Sequence, residues 1–158
     1  HVMTCWIGVD PGQDGGFALL GPTGELIAVQ AMPVHDSEVS GLLVQALLHD
    51  WQQMMQDQVR VAIEQVHSMP GQGVSSTFKF GKNFGIVLGV VQGMGLPLHR
   101  ITPQTWKKQF VLTGKDKDAS RGKATEFWPS MADKWKFKYQ NGLTDAALIA
   151  ECARRQGL

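Results

Sequence analysis

The sequence predicts a single α/β domain with a mixed, five-stranded β-sheet flanked by helices. Strand-like apolar segments joined by tight turns come first, and later apolar segments alternate with stretches of helical periodicity. The 158 residues are 43% apolar and 18% charged, a balance typical of a globular chain long enough to bury a core. We interpret residues 1–3 as a cloning remnant that ends in an initiator methionine, and residues 4–158 as one domain.

The N-terminal segment predicts an antiparallel meander followed by a helix. Residues 4–10, 15–20 and 25–31 have the apolar character of strands, and a Gly-Pro-Thr-Gly turn joins the last two. Asp36 and Ser37 are then expected to cap a helix. Its apolar residues follow helical spacing: Val39, Leu42, Leu43, Leu47, Trp51 and Met54.

The rest of the chain alternates between strands and helices. Residues 59–66 predict a fourth strand, and the Pro- and Gly-containing residues 67–76 predict a loop. A helix at about residues 76–92 precedes a fifth strand at 96–101. Helices are also expected near 102–110, 120–128 and 142–155. Strands connected partly by a meander and partly through helices predict a mixed sheet.

Composition bears on membranes and on the compartment. The apolar run at residues 86–91 is far shorter than the about 20 residues that a membrane-spanning helix needs. Cys5 and Cys152 lie far apart in sequence, each inside an apolar element. This pattern indicates buried free thiols and a reducing compartment.

A net charge of +1 conceals a strong asymmetry along the chain. Residues 1–99 hold three Lys and Arg against eight Asp and Glu, a balance of −5. Residues 100–139 hold ten basic residues against four acids, a balance of +6, and residues 140–158 are neutral. A basic segment beside separate carboxylates is typical of a nuclease, which needs cations for phosphates and acids for metal.

Three acids stand where strands or helices would display them. Asp10 closes the first strand in WIGVDPG, Glu64 ends a strand in VAIEQV, and Asp145 opens a helix in LTDAALIA. Asp10 can alternatively serve as a turn residue and Asp145 as a partner of the helix dipole, whereas a buried Glu64 needs a partner. Together the acids suit a hard divalent cation and predict a metal-dependent phosphoryl-transfer enzyme.

The segments IGVDPG, AIEQV and TDAALIA, in this order and spacing, resemble the RuvC-type Holliday-junction resolvases, especially shorter phage and prophage members. The resemblance covers about residues 4–155, including FKFGKNFGIVLGVVQGMGLPLHRITPQTWKK. It implies an RNase H-like nuclease domain that acts as a homodimer in the cytoplasm of a bacterial or phage-infected cell. It also implies Mg²⁺-dependent paired nicks in four-way DNA junctions, with 5′-phosphate products. We expect two ions per active site, with Mn²⁺ as a substitute.

The resemblance also assigns residues. Asp10, Glu64 and Asp145 match the family's metal-binding carboxylates, and Lys107 and Lys117 match basic positions near the scissile phosphate. Charge stabilisation or proton donation is the role implied for the two lysines. The alternative for any single lysine is a solvated side chain that acts on the DNA backbone only through its charge.

The family has a fourth acid three or four residues before the one matched by Asp145, where this chain has Gly142 and Asn141. Asn141 and Asp145 share a helix face if the helix starts early enough. Asn141 is open to three interpretations: an uncharged metal ligand, a helix N-cap, or the replacement of an original Asp that abolishes cleavage.

Other residues are predicted to contact DNA. The basic ones are Lys108, Lys115, Arg121, Lys123, Lys134, Lys136 and Lys138. Trp135 and Phe137 alternate with the last three of these lysines, so this strip is the best candidate for base stacking, while most other aromatic residues are interpreted as core. In the loop after Glu64, Met69 is a candidate wedge between base pairs. His67 could assist the metal site or simply be a hydrogen-bonded loop histidine.

Gly81, Gly85, Gly89 and Gly93 recur at intervals of four in a predicted helix. Each interior glycine costs about 1 kcal/mol relative to Ala, so the stripe needs a compensating cause. One possibility is close packing on the chain's own sheet. The other is a twofold pair with the same helix of a second copy.

Three other functions compete with the resolvase, and the second of them is disfavoured. An RNase H-like or flap- or fork-directed nuclease would use the same acids without needing a dimer. An actin-like ATPase or sugar kinase also begins with an acid and a Gly-rich turn, but it needs two such domains, so we expect no nucleotide cofactor. A junction-binding protein that does not cleave DNA is the third, because Asn141 replaces an expected acid.

Overall fold

The structure, a computed structural model, describes residues 3–67 and 71–158. The strands are β1 (Thr4–Asp10), β2 (Gly16–Leu20), β3 (Leu26–Ala31), β4 (Val34–His35), β5 (Glu38–Val39), β6 (Gln58–Glu64) and β7 (Leu98–Ile101). The helices are α1 (Gly41–Met54), α2 (Val74–Gly93), α3 (Pro103–Gln109), α4 (Ala119–Phe127) and α5 (Asn141–Gln156). Short 3₁₀ segments at Pro129–Trp135 and Lys138–Gln140 connect the last two helices.

The main sheet has five strands in the order β3-β2-β1-β6-β7. β1, β2 and β3 form an antiparallel meander, while β1, β6 and β7 run parallel to one another. The predicted mixed sheet and its N-terminal meander are therefore confirmed. Since β6 ends at Glu64, the acid is the last residue of its strand, whereas the prediction had continued the strand by two residues.

Two hydrophobic cores cover the two faces of this sheet. In β1, Trp6 belongs to the core under α5, whereas Ile7 and Val9 belong to the core under α1 and α2, as the alternation of side chains along a strand requires. Cys5 and Cys152 are buried free thiols in different cores, which confirms that prediction. In the described part of the chain, no helix combines the length and apolarity needed to cross a bilayer.

The prediction that a helix begins directly after Asp36 and Ser37 is wrong. These residues have φ of 50° and 61° and form the two-residue turn of the β4–β5 hairpin, a conformation that Asp tolerates well. α1 begins at Gly41, and the side chain of Ser40 caps it by accepting from the Leu43 N–H.

The predicted buried face of α1 is also partly wrong. Val44, Leu48 and Trp51 are buried, whereas Leu42, Leu43 and Met54 are exposed. Apolar residues surround most of this helix, so their spacing alone could not choose the buried face.

The glycine stripe of α2, formed by Gly81, Gly85, Gly89 and Gly93, faces away from the sheet. A Cβ added at any of the four would meet no heavy atom of the described residues within 4 Å. The buried residues of α2 are Asn83, Val87 and Val91, which lie on the opposite side of the helix. Packing on the chain's own sheet is therefore excluded as the cause of the stripe.

Candidate active site

Asp10 and Glu64 meet because they end neighbouring parallel strands. β1 pairs with β6 in a register that places Val9 opposite Ile63, so the next residue of each strand is an acid at the same edge of the sheet. Parallel strands present their carboxyl ends together, and this edge is where open α/β sheets commonly bind ligands.

Close packing of α5 on β1 brings Asp145 to the same place. A Cβ on Gly8 would lie 1.9 Å from the Ala146 carbonyl oxygen, so this glycine allows the helix to rest directly on the strand. At the start of α5, a Cβ on Gly142 would lie 2.4 Å from the Asp14 carbonyl oxygen. Position 142 therefore has no room for a carboxylate, which leaves position 141 as the one that could hold a fourth acid.

The three acids line one pocket with a basic rim. Asp10, Glu64 and Asp145 contribute the carboxylates, while Asn141 lies at the start of α5. Asp145 is the fifth residue of α5, beyond the first turn, so a role as partner of the helix dipole is excluded. The basic side chains that line the pocket are Lys107, Lys115, Lys117 and Lys138.

The pocket disfavours three unpaired negative charges. Burial and the nearby Asp145 and Glu64 carboxylates raise the pKa of Asp10 to about 8, although a hydrogen bond from the Gly12 N–H opposes the shift. Burial also raises the pKa of Asp145 to about 6, against the Ser120 hydroxyl and the charges of two lysines. Because burial is the main cause of both shifts, a cation bound among the acids would favour their ionised forms.

Glu64 is held by a residue that was not predicted to belong to the site. The indole N–H of buried Trp106 donates a hydrogen bond to Glu64 Oε2 at 2.6 Å. Burial raises the pKa of Glu64, while this hydrogen bond and the charge of Lys107 lower it. The only sequence signal was the position of Trp106, directly before Lys107.

Asn141 is the first residue of α5, and Gln140 precedes it as the N-cap residue. The N-cap interpretation of Asn141 is therefore wrong. Its side chain hydrogen-bonds Asp118 and helps to lower the pKa of that carboxyl, after Arg121. Its own Oδ1 is buried and accepts no hydrogen bond from the described residues. A buried amide oxygen without a donor is suited to a cation.

The pocket offers carboxylate and amide oxygens, which are the ligands that a hard divalent cation prefers. Within residues 3–67 and 71–158, no group of three or more His, Cys, Asp or Glu side chains is arranged to hold a metal ion. Mg²⁺ typically takes only one or two carboxylates and completes its shell with water and substrate phosphate. Asp10, Glu64, Asp145 and Asn141 line one pocket, so one or two of their oxygens would supply the few protein ligands that such an ion takes.

Lys107 and Lys117 line the same pocket as the three acids. Lys107 acts electrostatically on Glu64 and Asp145, and Lys117 acts on Asp145. Lys108 is exposed on α3 next to Lys107. Lys115 and Lys138 line the pocket itself.

Several other residues predicted to bind DNA have partners within the chain. Arg121 pairs with Asp118 at 2.9 Å and donates to the Lys136 carbonyl at 2.8 Å. Lys123 pairs with Glu126 at 3.0 Å, and Lys136 pairs with Asp133 at 3.5 Å. Lys134 is exposed. Exposed pairs of this kind are weak and leave the lysines able to exchange partners.

Only one of the two aromatic residues in the predicted stacking strip is exposed. Trp135 is buried and donates its indole N–H to Thr125 Oγ1 at 2.9 Å, so it cannot stack on a base. Phe137 is exposed, as is Tyr139 two residues later. His67 is exposed after β6, and Met69 lies outside the described residues.

The architecture and the acid-lined pocket define an α/β fold of the RNase H-like class. Solved structures with this fold include Thermus thermophilus RuvC bound to a Holliday-junction substrate, with a TM-score of 0.68 and 16% identity over 99% of this chain and 97% of that one. A second T. thermophilus RuvC structure has a TM-score of 0.66 and 17% identity over 97% and 96% of the two chains.

A yeast mitochondrial Holliday-junction resolvase has a TM-score of 0.56 and 14% identity over 98% of this chain and 79% of that one. Neither a protein-family model nor a curated protein sequence matches the chain. The fold is thus that of the RuvC-type resolvases over the whole chain, as the sequence resemblance implied.

Proposed function

We propose that this protein is a metal-dependent endonuclease that resolves four-way DNA junctions. The observation that carries the proposal is one pocket in which Asp10, Glu64 and Asp145 meet below a rim of lysines. Carboxylates with raised pKa values call for cations, and the lysines suit DNA phosphates. The fold shared with RuvC and with a mitochondrial resolvase supports a branched DNA substrate.

The proposed cofactor is Mg²⁺, two ions per site, with Mn²⁺ as a substitute. Asp10, Glu64 and Asp145 would hold the ions, helped by the carbonyl oxygen of Asn141. Bound at this edge, the ions supply activation of a water and stabilisation of the leaving oxygen. The Trp106 indole holds one oxygen of Glu64 and makes no hydrogen bond to the other.

Lys107 and Lys117 are assigned to the transferring phosphate. Both lysines line the pocket and lower the pKa of Asp145, which supports a role in offsetting the charge that develops on a phosphate bound at the acids. Lys115 and Lys138 would hold the flanking backbone. Cleavage is proposed to leave 5′-phosphate and 3′-hydroxyl ends.

Asn141 decides how active this chain is. An Asp at this position would add a negative charge beside the three acids and beside Asp118, to which the present amide is hydrogen-bonded. Asn supplies an oxygen but no charge, so we expect it to weaken the hold on one of the two ions. This weaker metal binding is expected whether Asn141 is the natural residue or replaces an original acid.

A homodimer is proposed to supply two symmetric cuts. The glycine stripe of α2 is open to solvent, and exposed Val74 and Phe78 continue its face towards the helix start. Four glycines in one helix and uncovered apolar side chains both favour a partner helix at close range. A second copy provides that helix with the twofold symmetry of a four-way junction. We propose that the dimer acts in the cytoplasm of a bacterial or phage-infected cell.

The test is nicking of an end-labelled four-way junction and a matched linear duplex, in Mg²⁺ and in Mn²⁺. The proteins are this chain, Asn141→Asp, and Asp10→Asn as the inactive control. We expect paired nicks confined to the junction, with Asn141→Asp at least about tenfold faster than this chain.

Other outcomes point to other functions. Cutting of RNA–DNA hybrids or of flaps in preference to junctions would indicate the related nucleases of the same fold. Tight junction binding with no cutting by this chain or by Asn141→Asp, in either metal, would refute the nuclease and leave a junction-binding protein. The junction-binding protein stays a second candidate because Asn141 stands where an acid was expected.

A further inference from the structure

Two aromatic rings stand exposed and parallel on the surface beside the pocket. The side chains of Phe137 and Tyr139 are 56% and 74% exposed. Their ring centroids are 5.7 Å apart and the ring planes differ by only 7°. A pair of large rings left uncovered is a common sign of a binding surface.

The backbone around the pair holds it in place. The Phe137 N–H donates to Gln140 Oε1 and the Gln140 N–H donates to the Phe137 carbonyl, both at 2.9 Å. On the N-terminal side, Arg121 donates to the Lys136 carbonyl at 2.8 Å, and Trp135 is anchored in the core. The rings are thus presented by a closed turn between two anchors, which reduces the entropy lost when a ligand binds.

One member of the pair, Tyr139, also lies at the proposed cleavage site. Tyr139 and Lys138 line the same pocket as Asp10 and Asp145. Lys138 lies between the two aromatic residues in sequence, and Lys134 and Lys136 precede them, so cations are interleaved with the rings. An aromatic face among lysines matches a nucleotide, which offers a flat base and a negative phosphate.

We propose that the Phe137–Tyr139 pair is a platform on which an unstacked base of the DNA branch lies, next to the phosphate held in the pocket. The inference rests on the proposed function for its substrate. Bases at a branch point lose a stacking neighbour, whereas every base inside a duplex has two, so the platform favours branched over linear DNA. Tyr139 is thereby a specificity residue, distinct from the acids that carry out cleavage.

The test uses four-way junctions with 2-aminopurine at single positions around the branch, bound in Ca²⁺ so that cutting is not required. Stacking on an aromatic ring quenches the fluorescence of this base. We expect quenching at one branch position by this chain, by Tyr139→Phe and by Tyr139→Trp. Tyr139→Ala should lose the quenching and bind the junction about tenfold more weakly, with little change on duplex.

Lys138→Gln is the matched comparison. Its loss of charge should weaken binding to junction and duplex alike and reduce the salt dependence, while quenching at saturating protein is retained. Thermal unfolding of each variant controls for folding, and little change is expected because both rings are exposed.

Two results would overturn the platform. One is unchanged quenching and junction affinity in Tyr139→Ala and in the Phe137→Ala, Tyr139→Ala double variant. The other is a change in oligomeric state of these variants without DNA, which would make the pair a protein contact. Failure of the proposed nuclease is seen separately, as absence of nicking in Mg²⁺ by both this chain and Asn141→Asp, whatever the fluorescence shows.

Discussion

The indole nitrogen of buried Trp106 lies 2.6 Å from Oε2 of half-buried Glu64 and donates a hydrogen bond to it. Trp106 is 1% exposed and belongs to the core under α5, so its ring cannot move away from the carboxylate. A charge-assisted hydrogen bond of this length fixes one carboxylate oxygen and favours the ionised acid. Packing of the hydrophobic core therefore orients Glu64, one of the proposed metal ligands.

We expect Trp106→Phe to lower both stability and cleavage. Loss of the indole removes a hydrogen bond to a charged group, about 1.5–3 kcal/mol, and raises the pKa of Glu64 further. The cleavage rate should fall, and its pH profile should shift towards higher pH. The measurement is a pH–rate profile on a four-way junction, together with urea unfolding.

Trp128→Phe is the matched control. Trp128 is also buried, and its indole N–H donates to the Gly24 carbonyl at 2.8 Å, outside the pocket. Both variants should lose stability, Trp106→Phe the more because its hydrogen-bond partner is charged, but only Trp106→Phe should shift the pH profile. Equal shifts in both, or none in either, would mean that Trp106 is only a core residue.

The raised pKa of Asp10 predicts how the metal-free protein responds to pH. Folding raises this pKa from 3.8 to about 8, so the folded state holds a proton that the unfolded state has lost. The free energy of unfolding should therefore fall as pH rises from 4 to 8, by at most about 1.4 kcal/mol per pH unit from this group. Asp145 adds to the fall between 3.8 and about 6.

Urea unfolding at pH 5, 6, 7 and 8 in EDTA measures this dependence. Asp10→Asn should be more stable than this chain at pH 8 and should have a flatter profile between pH 6 and 8. Added Mg²⁺ should stabilise this chain more at pH 8 than at pH 6, because cations compete with protons for the same carboxylates. A stability that rises with pH over this range in EDTA would contradict the assigned shift.

The sequence was sufficient to place Asp10 and Glu64 because strand ends can be read from local patterns. An apolar run that closes on an acid gives both the strand and the position of the carboxylate along it. The position of Asp145 could not be read from local patterns, because it depends on a long-range contact of α5 with β1 at Gly8. That contact could be expected only from the resemblance.

The features that could not be predicted from the sequence depend on the direction of side chains in three dimensions. Trp106 and Trp135 are both aromatic residues next to lysines, yet the first binds Glu64 and the second binds Thr125. Asp is a favoured N-cap residue, but Asp36 instead lies in the hairpin turn with a positive φ, which Asp tolerates. Local propensity allows both outcomes, and packing of the surrounding elements decides between them.

Lys107 and Lys108 offer a test of position against charge. They are adjacent and both exposed, but only Lys107 lowers the pKa of Glu64 and Asp145. Lys107→Gln should reduce the cleavage rate by about 100-fold with little effect on junction affinity in Ca²⁺. Lys108→Gln should mainly weaken binding and its salt dependence. Similar rate losses in single-turnover assays of both variants would assign Lys107 a general electrostatic role only.

The glycine stripe of α2 predicts that Gly85→Leu and Gly89→Leu yield folded monomers. Nothing in the described chain lies within 4 Å of a Cβ at either position, so the larger side chain has room in one copy and meets only a partner helix. Sedimentation velocity should show dimer for this chain and monomer for the variants. On a supercoiled plasmid with an extruded cruciform, the variants should give single nicks where this chain gives paired cuts.

Gly122→Leu on α4 controls for the substitution itself, since Gly122 is equally open and lies on a different helix. It should leave the oligomeric state unchanged. Gly85→Ala separates the two explanations of the stripe further: without a dimer, Ala should stabilise α2 by about 1 kcal/mol. With a dimer, the gain in helix propensity is opposed by the lost close approach of the two helices. A protein that is monomeric before any substitution, or that keeps its paired cuts in Gly85→Leu and Gly89→Leu, would rule out this helix pair.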